Sequence, residues 1–159
     1  MTDVEIRAGR DEDWAVVGGL RWDSLQEFGG EALEDRATFA ERFADWARGT
    51  GGAHECFVAT AEAGVIGMMW LAVVRRVPAA RAFDRFSGDL QCAYVVPEHR
   101  SSGVGALLVR AVLDRAAERG LERVTVHSSP LAVRFYERNG FAVDGKLMHV
   151  VLQRPVSTR

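Results

Sequence analysis

Two hydrophobic periods run through this chain, and the points where one gives way to the other mark its elements. Val4-Glu5-Ile6-Arg7 alternates apolar and polar, which predicts a half-buried strand. Asp11 is placed to cap a following helix. Trp14, Val17, Leu25 and Phe28 then fall near one helical face, and Gly29-Gly30 ends it. A second helix is predicted over residues 35–48, with Phe39, Phe43 and Trp46 at i, i+4 and i+7 and glycines beyond it. Two apolar runs, 56–61 and 65–74, flank Glu62-Ala63-Gly64 and read as a β-hairpin. Residues 75–88 form a polar loop, and 89–96 the next strand.

The helical period returns after Gly103. Val104, Leu107, Leu108, Ala111 and Val112 form one stripe, ended by Gly120. Residues 123–127 alternate again as a strand. Ser128-Ser129-Pro130 opens a helix to Arg138, with proline suited to the first turn, and Asn139-Gly140 stops it. Residues 141–143 and 147–152 read as two final strands joined by the Asp144-Gly145 turn. No repeat, linker or low-complexity segment interrupts this order. It predicts a mixed sheet covered by helices, an α/β architecture.

At 159 residues the chain suits one domain over positions 1–159. Hydrophobic residues make up 48% and charged residues 26%, the balance of a globular domain. A net charge of −2 and scattered arginines argue against a nucleic-acid or membrane partner. Cys56 and Cys92 lack metal-ligand or redox spacing and read as two buried thiols in a reducing compartment, with no metal expected. The first ten residues hold no apolar signal core, and the run 65–74 is too short to span a bilayer. A cytoplasmic location is the expectation.

The chemistry concentrates in Val95-Val96-Pro97-Glu98-His99-Arg100-Ser101-Ser102-Gly103-Val104-Gly105-Ala106, a strand end, an Arg-x-x-Gly-x-Gly turn and a helix start. Such a turn gathers backbone N–H groups at a helix N-terminus, where the dipole favours a phosphate. No lysine follows the second glycine, which excludes a nucleoside-triphosphate P-loop. The glycine spacing and its late position also differ from a dinucleotide fingerprint.

Together with Ala132-Val133-Arg134-Phe135-Tyr136-Glu137-Arg138-Asn139-Gly140-Phe141 downstream, this turn resembles the paired motifs of the GNAT N-acetyltransferase superfamily. The resemblance implies a central, twisted, mostly antiparallel sheet with about four helices and a strand splay at the cofactor site. It implies acetyl-CoA (coenzyme A) as co-substrate, with the pyrophosphate held by Arg100, Ser101, Ser102, Gly103, Val104, Gly105 and Ala106. Ala93, Tyr94 and Val95 would pair with the pantetheine arm, and the Val95 N–H would polarise the thioester carbonyl. Tyr136 matches the family tyrosine that protonates the departing thiolate. Asp89, eleven residues before Arg100, matches a catalytic carboxylate of one branch; ordered water is the alternative base, with His127 and His149 behind it.

Ser129 stands where many members carry a cofactor-contacting asparagine, and the turn lacks the family's usual extra basic residue. Arg134 or Arg138 could reach the ribose phosphate. Seven acidic residues between Asp23 and Asp45, with Trp22, Phe28, Phe39 and Trp46, suit a cationic amine; Arg75, Arg76, Arg81 and Arg85 suit an anion. The acceptor is therefore expected to be a small-molecule amine or a peptide N-terminus, with a homodimer as a family-level expectation. A non-catalytic acyl-CoA-binding domain is the alternative function.

Overall fold

The structure, a computed structural model, describes residues 3–153. The chain divides into two compact units, Met1–His127 and Ser128–Arg159.

The first unit is a five-stranded sheet in sequential order: β1 (Glu5–Ala8), β2 (His54–Ala61), β3 (Gly64–Arg76), β4 (Arg85–Val95) and β5 (Val124–Val126). The first four pair antiparallel, and β5 runs parallel to β4. A parallel neighbour needs a crossover, and α3 (Val104–Glu118) supplies it. β3 and β4 extend further than periodicity predicts, because Arg75 pairs with Phe86 and Arg76 with Arg85 at the polar end of their ladder.

α1 (Trp14–Glu27) and α2 (Arg36–Arg48) pack together. Gly18 makes this possible: a Cβ there would lie 2.9 Å from the Phe43 Cβ and 3.0 Å from the Ala40 Cα. The Asp35 carboxylate caps α2 by accepting the Thr38 N–H at 3.0 Å. Asp11 does not cap α1. It pairs with Arg48, while Asp13 accepts the Arg10 N–H at 2.7 Å and both guanidinium N–H groups of Arg7, at 2.7 and 3.0 Å.

Val17 and Leu20 of α1, Ala47 of α2, Cys56 and Val58 of β2, Met68 and Trp70 of β3, and Tyr94 of β4 form one buried cluster. Trp14, Phe43 and Trp46 close on Trp70 with ring centroids 5.2–5.6 Å apart. Phe43 and Trp46 are thus sheet packing. α3 packs against β1 to β4, burying Leu108, Val109 and Val112. Both cysteines are free thiols, with Cys56 buried and Cys92 partly so, and burial pushes both thiols up.

The second unit holds a 3-10 turn (Pro130–Ala132) and α4 (Val133–Arg138). Tyr136 is buried there, edge-on to Phe135 at 5.1 Å and Phe141 at 5.4 Å. The two strands expected over 141–143 and 147–152 are absent from the described residues. Only the Asp144 turn is seen, with Leu147 N–H donating to the Asp144 carbonyl at 3.1 Å. Alternation makes a segment fit for a strand, but a strand exists only when a second backbone pairs with it.

Candidate functional site

β4 and β5 stay paired only through Gly88↔Val124, Asp89↔Thr125 and Leu90↔Val126. Beyond Leu90 the outer edge of β4 has no ladder partner among the described residues. A bulge sits at the same point. Trp70 pairs with Cys92 and Leu71 with Leu90, so Gln91 is the extra residue. Bulges bend and twist the strand that carries them, and here the bend begins where β5 leaves. Ala93, Tyr94 and Val95 therefore lie on a strand edge without a ladder partner, although the Val95 carbonyl already accepts from Arg100 Nε.

The chain then passes through a 3-10 turn (Pro97–His99) into the Arg-x-x-Gly-x-Gly turn. Ser101 and Gly103 take left-handed backbone angles, φ 60° and 88°. Gly103 is the N-cap of α3, and no side chain caps that helix. The first N–H groups of a helix lack intrahelical partners, so those of Val104, Gly105 and Ala106 remain for an anion. The Ser102 hydroxyl is spent locally, donating to the His99 carbonyl at 2.6 Å.

Arg100 is committed elsewhere. Its Nη1 and Nη2 meet the two oxygens of Glu27, the last residue of α1, and Nη2 lies at 2.8 Å. Its Nε donates to the Val95 carbonyl at 2.8 Å. The Tyr94 hydroxyl donates to the same Glu27 at 2.9 Å, and the guanidinium carbon lies 5.2 Å from the centre of the Tyr94 ring. The Arg100 guanidinium, with help from Tyr94, holds the Glu27 carboxyl down at about 2. Burial first, then Glu27, pushes the Tyr94 phenol up to about 12. Three of the five N–H groups of Arg100 are thus engaged, and a phosphate could meet only the remaining two without displacing Glu27. Nothing in the sequence singles out Glu27 from the other acidic residues of its region, since its partner lies 73 positions away.

Asp89 sits at the root of the splay. Its Oδ1 accepts from the Thr125 hydroxyl and its Oδ2 from the Gln91 amide, both at 3.2 Å. Four of the seven acidic residues expected to form a rim between residues 23 and 45 are held in ion pairs, while Glu31, Asp35 and Glu41 have none among the described residues. Asp23 pairs with Arg36, Glu34 with Arg42, Asp45 with Arg48, and Glu27 with Arg100. Among the loop arginines, Arg85 pairs with Glu122. In the second unit Ser129 is the exposed N-cap of the 3-10 turn and offers no side-chain cap. His127 and His149 are both exposed.

Among the described residues, no group of three or more His, Cys, Asp or Glu side chains could hold a metal ion. No helix among them is long and apolar enough to cross a membrane.

The unpaired strand edge thus runs into a helix N-terminus that no side chain caps. The chain matches the Acetyltransferase (GNAT) family over residues 17–141 and belongs to it. That family is one of acetyltransferases. A mycothiol acetyltransferase of Thermobispora bispora is 29% identical over 137 residues, covering 84% of this chain and 43% of the relative. An uncharacterized N-acetyltransferase of Bacillus subtilis, YjcF, is 34% identical over 56 residues, 35% of this chain and 40% of that one. The chain thus spans less than half the length of the curated relatives it matches. A predicted acetyltransferase from Clostridium acetobutylicum, solved with acetyl-CoA, shares the fold: TM-score 0.78, 16% identity, 94% of this chain and 96% of that one.

Proposed function

We propose that this protein is an N-acetyltransferase that moves the acetyl group of acetyl-CoA to a primary amine by direct attack on the thioester. The observation that carries the reading is the unpaired edge of β4 beyond Leu90, continuous with the uncapped N-terminus of α3. In this reading the backbone of Ala93, Tyr94 and Val95 pairs with pantetheine. The N–H groups from Arg100 through Ala106 take the pyrophosphate, and Ser129 adds a cofactor contact. Arg100 contributes as the brace of the turn more than as a phosphate ligand, because Glu27 holds its guanidinium.

The amine, freed of its proton by Asp89 or an ordered water, attacks the thioester carbon. The carbonyl becomes an oxyanion stabilised by a β4 N–H. Collapse breaks the C–S bond, Tyr136 gives its proton to the departing thiolate, and the surplus proton on the attacking nitrogen leaves through solvent and restores the phenol. A phenol of reference pKa about 10 donates uphill to a thiolate whose conjugate acid titrates near 8.5, so the site must hold the two together. Residues 1–159 are read as one such domain, cytoplasmic and able to form a homodimer.

The acceptor is a small-molecule amine or a peptide N-terminus. Ion pairs offset four of the seven acidic residues between Asp23 and Asp45, and Glu31, Asp35 and Glu41 leave a reduced negative rim that favours a cationic amine. The test is a thiol-release screen of acetyl-CoA against polyamines, aminoglycosides, amino acids and short peptides. At least one amine should accelerate CoA release. A second reading, acyl-CoA binding without transfer, draws on the engaged Arg100 and the absence of Lys or Arg at 101–106. It predicts CoA binding by calorimetry with no amine-dependent release.

A further inference from the structure

A chain of polar side chains crosses the α1/α2 face of the sheet at the root of the splay. Thr125 and Gln91 donate to the two oxygens of Asp89. The other end of the Gln91 amide meets His54 Nε2 at 2.9 Å. A carboxylate only accepts, so the Gln91 nitrogen must face Asp89 and its oxygen must face His54. That oxygen in turn requires a hydrogen on Nε2. The Asp89 carboxylate therefore dictates the tautomer of an imidazole two strands away.

The sheet is built to let these residues meet. His54, Ala72 and Asp89 lie in register across β2, β3 and β4. Ala72 is buried and contributes only a methyl group, so longer side chains on either side can close over it. Gln91 is the bulge residue, turned out of the ladder and free to reach both ways. The outer side of His54 packs edge-on against Trp46 of α2, with ring centroids 5.1 Å apart.

We propose that His54 is a positioning residue for acetyl transfer. Its Nε2–H fixes the Gln91 carboxamide, and Gln91 together with Thr125 fixes the Asp89 carboxylate at the root of the cleft. Asp89 is then held in one orientation toward the incoming amine. Without His54, the Gln91 amide is free to rotate, and one of the two side-chain donors that orient Asp89 is lost. This inference rests on the reading of Asp89 as the group that receives the amine.

Two substitutions separate positioning from packing. His54→Phe keeps a ring against Trp46 and removes the donor. His54→Gln places an N–H donor at the reach of Nε2 and removes the ring. In steady-state kinetics with the best amine of the screen, His54→Phe lowers kcat about tenfold, the weight of one hydrogen bond. CoA affinity by calorimetry and the melting temperature stay near wild type. His54→Gln recovers most of the rate. In an Asp89→Asn background, His54→Phe costs nothing further, because the group it orients is gone.

Full activity in His54→Phe overturns the proposal while leaving the reading of Asp89 intact, provided Asp89→Asn is slow. The reverse order of rescue, Phe active and Gln slow, overturns it in favour of packing against Trp46. Additive losses in the double variant overturn it as well. Wild-type turnover in Asp89→Asn removes the base reading itself, and the proposal falls with it.

Discussion

Replacing Glu27 by glutamine asks whether Arg100 braces the cofactor turn or waits for the cofactor. The substitution keeps the shape of the side chain and removes the charge that meets both guanidinium nitrogens. The drop of the Glu27 carboxyl from 4.5 to about 2 corresponds to about 3.4 kcal/mol before screening. The Arg100 side chain is 37% exposed and that of Glu27 30%, so solvent takes much of this away. About 1.5 kcal/mol is a reasonable remainder, between an exposed pair and a buried one. Loss of that amount lowers the melting temperature by about 3–6 °C in a chain of this size. If the clasp also holds the turn in its binding shape, the Kd for CoA rises about tenfold.

Calorimetry with CoA and a thermal melt read both numbers. A CoA affinity that is unchanged or tighter in Glu27→Gln refutes the bracing argument, and a tighter one would mean that the freed guanidinium takes up phosphate. The sign with pH follows from the lowered carboxyl. The clasp contributes fully above about pH 4.5 and is lost as pH falls toward about 2. The melting temperatures of wild type and Glu27→Gln therefore converge across that window and stay apart above it.

Asp13→Asn leaves the half-buried Arg7 without its charge partner and costs about 2 kcal/mol, read as a lower urea midpoint; a midpoint equal to wild type contradicts the pairing. Gly103→Val forces a branched side chain to φ 88° and costs about 1–2 kcal/mol at the N-cap of α3, with weaker CoA binding. Binding as tight as wild type would show that this backbone angle is not needed. Tyr136→Phe lowers kcat while leaving the CoA Kd unchanged, and equal turnover removes the acid role from Tyr136.

The hydrophobic periods located most of the sheet and the main helices, because each such face had a partner to pack against. Gly64 at φ 104° closes the β2–β3 hairpin where the sequence placed it. The ends of β3 and β4 were not legible, since cross-strand pairing carries them through polar residues such as Arg75 and Arg85. Alternation over 147–152 suggested a strand that the described residues do not form, as pairing depends on a second backbone that local pattern cannot supply. The backbone part of the candidate site was legible in Arg-x-x-Gly-x-Gly, because glycine positions encode conformation directly. Its side-chain wiring was not. Glu27 meets Arg100 across 73 positions, and His54 meets Gln91 across 37, and neither carries a local signature.

The central claim is that the β4 edge and the α3 N-terminus present acetyl-CoA to an amine. Its most direct test is mass spectrometry of an amine incubated with acetyl-CoA and the protein, alongside the thiol released. A product heavier by one acetyl group on nitrogen is expected, formed in step with free CoA and lost without protein. Tight CoA binding with no acetylated product from any amine class would contradict it.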